Sequence, residues 1–398
     1  MSSRVYLDHA ATSVLRPQVR EVVTGLLEHA AGNPSSLHGT GRAARRVVEQ
    51  AREDVADAVG AGATEVVFTA GGTEADNLAV KGIALARRAA DPRRRRLLVS
   101  AVEHHAVLDP AHWLAGDGSF EVVELPVDAT GRLRVDALAA AVASDPASVA
   151  LVSVMAANNE VGTFQPLAEA VAVCDGHGIP VHADAVQALG VLALDFAASG
   201  LAAMSLTGHK AGGPVGAGAL VLRHDVEVVA VLHGGGQQRD LRSGTLDAVG
   251  AGGFAAAATI AVTDREAHVA HLAGLRARLV AGVLAAVPDA VPVGPADPAG
   301  GLPGLAWLAF PGADAEAVLF ALDERGLDVS AGSACSAGIA RVSHVLTAMG
   351  RPADEVPDGI RVSLGWPSTA ADVDALLAGL PAAVATGRAV AEAERVHA

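Results

Sequence analysis

Two lysines and two cysteines are the only side chains available for amine or thiol chemistry in this chain: Lys81, Lys210, Cys174 and Cys335. Lys210 follows an apolar run and lies in a glycine-rich turn, Gly208-His-Lys-Ala-Gly-Gly. Lys81 instead has the helical spacing that is typical of a solvated surface residue. Because a desolvated lysine is the better partner for a carbonyl, Lys210 is the predicted reactive amine.

A second pattern is typical of an anion-binding turn. The segment Glu65-Val-Val-Phe-Thr-Ala-Gly-Gly-Thr-Glu reads as a strand, a tight turn and the start of a helix. Gly71 and Gly72 let backbone N–H groups approach an anion, Thr73 adds a hydroxyl, and a helix N-terminus carries a partial positive charge. We expect a phosphate-binding turn here, although an ordinary strand-turn-helix has the same pattern.

The third pattern is Val181-His-Ala-Asp-Ala-Val-Gln, in which Asp184 ends an apolar strand. A buried carboxylate without a partner is costly, so Asp184 is expected to face a cation or hydrogen-bond donors. His182 and Asp184 could begin a metal site, but no third ligand has suitable spacing, and no metal is predicted. A reactive lysine, a buried aspartate and a phosphate-binding turn are together what pyridoxal 5'-phosphate requires.

The two thiols have different surroundings. Cys335 lies among small residues in Ser333-Ala-Cys-Ser-Ala-Gly, which predicts an exposed loop, whereas Cys174 ends an amphipathic helix and is expected to be packed. A reactive cysteine must be accessible as a thiolate, so Cys335 is the predicted reactive thiol. Two cysteines in so long a chain also argue against a disulfide framework.

Short β-branched runs alternate with helical stretches between about residues 64 and 225, which predicts an α/β sheet covered by helices. Beyond residue 258 one long helical stretch to Val287 and a mixed region predict a smaller domain. We expect a large domain over 15–258 and a small domain formed by 1–14 and 259–398. The predicted strands are Glu65–Thr69, Leu97–Ser100, Phe120–Leu125, Val149–Met155, Ile179–Asp184, Ala203–Thr207 and Ala217–Leu222.

Composition restricts the class of partner. The formal charge of −15 disfavours attraction to nucleic acid or anionic lipid. The N-terminus lacks a signal-peptide core, and no uninterrupted apolar stretch approaches the roughly 20 residues of a membrane span. We therefore expect a cytoplasmic protein that binds neither membranes nor nucleic acid directly.

The ordered motifs resemble those of cysteine desulfurases of the NifS/IscS type, which are fold-type I pyridoxal-phosphate enzymes of the class V aminotransferase group. No single motif is specific, but together they extend over nearly the whole chain. They are Tyr6-Leu-Asp-His-Ala-Ala-Thr, Gly32-Asn-Pro-Ser-Ser, Phe68-Thr-Ala-Gly-Gly-Thr-Glu-Ala-Asp-Asn, Glu103-His-His-Ala-Val-Leu, Asn158-Asn-Glu-Val-Gly, Asp184-Ala-Val-Gln, Gly208-His-Lys, His233-Gly-Gly-Gly-Gln-Gln-Arg, Arg242-Ser-Gly-Thr, Ser333-Ala-Cys and Ile360-Arg-Val-Ser-Leu-Gly.

The resemblance implies a fold with a large, mostly parallel-sheet domain and a smaller α+β domain that carries the cysteine loop. It also implies a role for each site residue. The catalytic residues would be Lys210, Cys335 and His104. The cofactor would be held by Gly72, Thr73, His104, Asn159, Asp184, Gln187, Thr207, His209, Lys210 and Thr245, the last reaching the cofactor of the other subunit in a homodimer. The substrate would be bound by Arg361, Asn159 and Asn33.

The implied reaction removes sulfur from L-cysteine, giving L-alanine and a persulfide on Cys335 that passes to a sulfur-acceptor protein, for iron–sulfur cluster assembly, tRNA thiolation or another purpose. A selenocysteine lyase or a class V aminotransferase would use the same cofactor set, and Cys335 favours sulfur abstraction over both. A catalytically silent, partner-binding protein is a more remote alternative.

Overall fold

The computed structural model describes residues 4–29, 32–331, 343–351 and 359–397. Its strands are β1 (Val5–Tyr6), β2 (Val66–Thr69), β3 (Arg96–Ser100), β4 (Glu121–Leu125), β5 (Val149–Ser153), β6 (Val181–Asp184), β7 (Ala203–Thr207), β8 (Gly218–Leu222), β9 (Val291–Val293), β10 (Leu305–Ala309), β11 (Leu327–Asp328) and β12 (Gly359–Ser363). Its helices are α1 (Pro17–His29), α2 (Gly39–Ala58), α3 (Gly72–Ala90), α4 (His105–Ala115), α5 (Val135–Ser144), α6 (Leu167–Asp175), α7 (Phe196–Ser199), α8 (Ala248–Thr263), α9 (Arg265–Ala286), α10 (Ala315–Asp323), α11 (His344–Ala348) and α12 (Ala370–His397).

Seven strands form one sheet in the order β2-β8-β7-β6-β5-β3-β4, in which only β8 runs antiparallel to its neighbours. All seven predicted strands are found here, with ends shifted by at most two residues. Hydrophobic clusters lie on both faces of the sheet, one under α2, α6 and α8 and the other under α3 and α4. Because buried parallel strands need cover on both faces, this is the predicted α/β architecture.

The long helical stretch predicted to begin near residue 258 is wrong in detail. Two helices occupy this region, α8 and α9, and they meet at Asp264. The Asp264 carboxylate pairs with Arg16 Nη1 at 3.2 Å, and aspartate favours helix ends because its short side chain competes for backbone groups. Since α8 continues across residue 258, the division into 15–258 and the remainder stays a prediction.

A second core lies outside the large sheet. Here β9, β10 and β12 form an antiparallel sheet, and β1 pairs with β11 in parallel. By length and composition α9 and α12 could each cross a membrane, although polar residues interrupt both. One face of each helix packs into this core, through Leu279 and Val283 of α9 and Leu376 and Leu380 of α12, as in the core helix of a soluble protein.

Two features of this topology position the site. The strands β7 and β8 form a hairpin, and its connection carries Lys210 beyond the carboxyl end of β7. The segment after β1 crosses from the small sheet to that connection, since Asp8 bridges Ser363 and the Ser13 N–H donates to the His209 carbonyl at 2.8 Å. The N-terminal segment thereby links β12 of the small sheet to the connection that carries Lys210.

Candidate active site

A cavity of about 330 Å³ lies beyond the carboxyl ends of β6 and β7, where open α/β sheets bind their ligands. Most of the predicted site residues contribute to its lining. They are Gly72, Thr73, His104, Asn159, Asp184, Gln187, Thr207, His209, Lys210 and Arg361. Sequence reasoning therefore identified ten residues that the fold brings into one cavity from six separate segments.

Lys210 lies at this cavity and is half-buried. Its Nζ donates to the carbonyl oxygens of Ala10 and Ala11, at 2.5 and 2.6 Å. The other lysine lies elsewhere: Lys81 is on α3, with its Nζ 4.7 Å from the centre of the Trp113 ring. Lys210 is thus the only lysine of the chain at the cavity.

Asp184 is the last residue of β6, and its carboxylate is buried against the cavity. Its Oδ1 accepts the Val186 N–H at 2.9 Å. Burial raises the pKa of Asp184 to about 6, against the opposing effects of the Val186 N–H and the Lys210 charge. A buried carboxylate of this kind suits a cationic ring nitrogen, whose charge would offset the cost of burial.

Two histidines beside Lys210 are neutral at physiological pH. His104 caps α4, where its Nδ1 accepts the Ala106 N–H at 3.1 Å, and His209 Nδ1 lies 3.1 Å from Thr12 Oγ1. Burial first, and the Lys210 charge second, lowers the pKa of each to about 4. A neutral imidazole can lie against an aromatic ring or donate one N–H without adding positive charge.

The predicted anion-binding turn begins α3. Gly71 has φ +152°, a backbone conformation that side chains rarely adopt, and Gly72 is the first helical residue. A Cβ on Gly72 would lie 2.5 Å from Val186 Cγ2, so the turn needs glycine at this point. Gly72 and Thr73 line the cavity at the first turn of α3, where the backbone N–H groups have no intrahelical partner, and such helix N-termini bind phosphate.

Arg361 is the arginine that lines the cavity. It lies on β12 and is 2% exposed, with its Nη1 3.0 Å from the Asn159 carbonyl oxygen. Asp8 Oδ1 accepts from its Nη2 at 2.8 Å. Gln187, nearby, donates to the Ala10 carbonyl at 2.9 Å. An oriented guanidinium of this kind suits the carboxylate of an amino acid.

Two predicted site residues that the structure describes, Thr245 and Asn33, do not line this cavity. Thr245 is exposed and lines a separate surface pocket with Arg242 and Gly218. Asn33 is also exposed, and its Oδ1 accepts the Ser35 N–H at 2.9 Å. Cys335 lies outside the described residues. Their predicted roles stay predictions.

The second thiol, Cys174, is fully buried at the end of α6, as predicted. Burial raises the pKa of its thiol to about 12, so it is protonated at neutral pH and inaccessible. Of the two cysteines in the sequence, Cys174 is therefore excluded as a nucleophile.

Sequence reasoning missed two buried acids beside the cavity. Asp76 lines it from α3 and is 1% exposed, and Glu103 is fully buried, with its Oε1 2.6 Å from the Met155 backbone nitrogen. The signal for Asp76 was its spacing: it follows Gly72 by one helical turn and so shares its face. As an acidic residue near a helix N-terminus, it had a sufficient explanation without the site.

His182 is engaged by hydroxyl groups. Its Nδ1 lies 2.9 Å from Ser153 Oγ and its Nε2 2.9 Å from Ser205 Oγ. In the part of the chain that the structure describes, no group of three histidine, cysteine or acidic side chains could hold a metal ion.

The donor set fits pyridoxal phosphate. Lys210 would supply the amine and Asp184 an anion for the ring nitrogen. The α3 turn would supply a phosphate site, at which Gly72 packs against Val186. His104 and Gln187 line the walls between them. The cavity would therefore offer the cofactor a covalent anchor and an anion that keeps its ring nitrogen protonated.

Comparisons with known proteins agree with this chemistry. Residues 5–376 match the family model of the class V aminotransferases. The chain is 53% identical to an IscS-like cysteine desulfurase of Mycobacterium tuberculosis over 97% of this chain and 98% of that protein, and 37% identical to cysteine desulfurase IscS of Dictyoglomus turgidum over 94% and 93%. A solved NifS-like protein superposes with a TM-score of 0.88 at 33% identity, covering 96% of this chain and 99% of that one. DndA of Streptomyces lividans has a TM-score of 0.75 at 35% identity, with 90% and 99% covered. The chain therefore belongs to the class V aminotransferase family, as a fold-type I, pyridoxal-phosphate-dependent cysteine desulfurase of the IscS/NifS type.

Proposed function

We propose that this enzyme takes sulfur from L-cysteine by the residue assignment predicted above. Lys210 binds the cofactor covalently, and Asp184 pairs with its ring nitrogen. Gly72, Thr73, Thr207 and His209 hold the phosphate, while His104, Gln187 and Asn159 contact the ring. The convergence of ten predicted residues on one cavity is the observation that supports this assignment.

At the substrate end, Arg361 binds the carboxylate of L-cysteine through the donors that Asp8 and Asn159 leave available. Buried arginine is suited to this role because its planar fork matches a carboxylate. Asn33 is proposed to assist from outside the cavity. These contacts fix the substrate so that its amino group and sulfur face Lys210 and the arriving thiol.

Pyridoxal phosphate supplies an electron sink that makes the bonds around the substrate α-carbon reactive. The Lys210 amine, at the cavity beside the substrate position, would take the substrate α-proton and return a proton. Neutral His104 and His209 add no competing positive charge beside it. Asp184 keeps the ring nitrogen protonated throughout.

Sulfur transfer requires a thiolate. The Cys335 sulfur attacks the sulfur of the substrate, a sulfur–sulfur bond forms, and the carbon–sulfur bond breaks. The electron pair of the broken bond goes to the carbon skeleton, which takes up a proton and leaves as L-alanine. Cys335 then carries a persulfide, which an acceptor thiol removes by exchange.

We further propose a cytoplasmic homodimer. Thr245 is exposed and outside the cavity of its own subunit, as expected of a residue that contacts the phosphate in a partner's site. The acceptor is a sulfur-carrying or scaffold protein rather than nucleic acid, because the net charge of −15 opposes direct nucleic-acid binding.

The two cysteines provide the test. Holoenzyme carrying Cys335→Ser should lose both alanine formation coupled to sulfide release and the enzyme-bound persulfide, whereas Cys174→Ser should retain them. Persulfide is read by mass spectrometry after alkylation, and alanine is measured in parallel. Undiminished sulfur release by Cys335→Ser would refute the role proposed for this thiol.

A further inference from the structure

A buried acid lies beside Asp184 without a charged partner of its own. Asp76 projects from the second turn of α3, is 1% exposed and lines the same cavity as Asp184. Its Oδ1 is 3.6 Å from His182 Nε2, which is beyond hydrogen-bond distance. Among the described residues this oxygen has no hydrogen-bond partner.

The titratable and polar groups that interact with Asp76 lie on three neighbouring segments. They are Asp184 and His182 on β6, Ser205 on β7 and Glu103 after β3. None brings a positive charge, because burial lowers the pKa of His182 to about 3 and its ring is neutral between the hydroxyls of Ser153 and Ser205.

Two buried carboxyl groups side by side cannot both be ionised without a large electrostatic cost. The carboxyl group that lies nearer a cation keeps the negative charge; in the working enzyme that cation would be the cofactor ring nitrogen, which the proposed function pairs with Asp184. The unloaded protein shows the same bias. Lys210 lowers the pKa of Asp184 towards its usual range, whereas burial and the charges of Asp184 and Glu103 raise that of Asp76 well above it. The proton is therefore held on the Asp76 side.

We propose that Asp76 is a positioning residue that stays protonated in the working enzyme and thereby leaves Asp184 as the single ionised carboxylate of the pair. The proposal rests on the proposed role of Asp184 at the ring nitrogen. The uncharged Asp76 carboxyl keeps a second negative charge away from Asp184, which would otherwise favour protonation of Asp184 and weaken its hold on the ring.

The direct test is an infrared spectrum of the holoenzyme at pH 8 with aspartate labelled by ¹³C at the side-chain carboxyl. A protonated carboxyl gives a carbonyl band that carboxylates lack, and the label assigns it to aspartate rather than to Glu103 or Glu160. We expect a label-sensitive band in the unmodified enzyme that disappears in Asp76→Asn and persists in Asp184→Asn. Absence of the band in the unmodified enzyme, which needs no variant to fold, overturns the proposal.

A second measurement tests whether Asp76 carries a charge while the cofactor is bound. Cofactor dissociation is followed between pH 5 and 8 by equilibrium dialysis and by the visible absorption of the bound cofactor. Because asparagine matches a neutral acid in shape and charge, Asp76→Asn should leave the acid midpoint of cofactor release unchanged. A fall of that midpoint by about one pH unit or more would mean that Asp76 carries a charge and would contradict the proposal.

The Asp184→Asn variant tests the role of Asp184 at the ring nitrogen separately from the protonation of Asp76. Unchanged cofactor affinity in that variant removes the ring-nitrogen role of Asp184, and with it the proposed function of the pair. The labelled infrared band still reports whether Asp76 is protonated. A wrong assignment of Asp184 is therefore recognised separately from a wrong protonation state of Asp76.

Discussion

The Asp8 carboxylate holds the Arg361 guanidinium from the side, with 2.8 Å between Asp8 Oδ1 and Arg361 Nη2. The pairing follows from backbone register, because Asp8 forms a bridge with Ser363, two residues along β12. Arg361 Nη1 donates to the Asn159 carbonyl, while its buried Nε has no hydrogen-bond partner within the described residues. The arginine is thus oriented by two protein oxygens and retains donors for a ligand.

Replacing this arginine tests its role in substrate binding. Arg361→Lys is expected to raise the KM for L-cysteine by about tenfold or more, because lysine keeps the charge but loses the bidentate fork. Steady-state kinetics of alanine formation measure the effect. Arg278→Lys is the matched control, since Arg278 pairs at 2.7 Å with Asp374 in an exposed position away from the cavity. An unchanged KM would remove Arg361 from substrate binding.

The two lysines give the cleanest comparison for the cofactor. Lys210→Ala should abolish the visible absorption of the covalently bound cofactor. Lys81→Ala should leave this absorption intact, because Lys81 lies against the Trp113 ring of α4 and does not line the cavity. Borohydride reduction followed by peptide mass spectrometry should place the cofactor on residue 210. Label on any other residue would contradict the assignment.

The glycine at the start of α3 predicts a pair of compensating substitutions. Gly72→Ala would bring its new Cβ to 2.5 Å from Val186 Cγ2, and we expect the cofactor dissociation constant to rise by about tenfold, equivalent to about 1.4 kcal/mol. Adding Val186→Ala removes the clashing methyl group and should restore much of the affinity. Equal affinities of the single and double variants would show that this contact does not shape the phosphate site.

Glu160 predicts a pH-dependent contribution to stability. It is 5% exposed, its Oε2 accepts from Ser343 Oγ at 2.5 Å, and burial raises its pKa to about 7. A raised carboxyl pKa stabilises the fold below the unfolded value of 4.5, and that contribution is lost as pH rises through about 7. Glutamine is neutral at every pH. Relative to the unmodified holoenzyme, Glu160→Gln should therefore gain stability between pH 5 and 8.5.

Thermal or urea unfolding across that range measures the difference for Glu160→Gln. The exposed residue Glu49, which pairs with Arg52 at 3.1 Å, provides Glu49→Gln as the control, and its stability difference should vary little with pH. A pH-independent difference for Glu160→Gln would show that Glu160 is already ionised in the folded enzyme near pH 5.

Much of the site was predictable because strand ends in one sheet meet at one edge. Apolar runs located β6 and β7. Asp184 ends β6 and Lys210 follows β7, so both were expected at the same edge of the sheet. The glycine pair Gly71-Gly72 at the start of α3 was predictable from the pattern of a strand, a tight turn and a helix. These features depend on local periodicity and turn chemistry, which the sequence displays directly.

The remaining features depend on packing over long sequence distances. Nothing in the local pattern indicates that the carbonyls of Ala10 and Ala11 receive hydrogen bonds from Lys210, about 200 residues away. The interruption at Asp264 depends on its pairing with Arg16, again a distant contact. The burial of Asp76 beside Asp184 could not be predicted, because it depends on which residues of β6 and β7 pack against that face of α3.

The pairing of Asp8 with Arg361 joins residues 353 positions apart, and it has a consequence for biosynthesis. The strand β1 pairs with β11, and Leu7 exchanges backbone hydrogen bonds with Asp328 and Ser363. During translation, residues 5–10 therefore lack their β11 partners until residue 328 has left the ribosome, and their β12 partners until residue 363 has left it. The large sheet is complete at residue 222, so the cofactor end of the cavity can form on the nascent chain well before its substrate end.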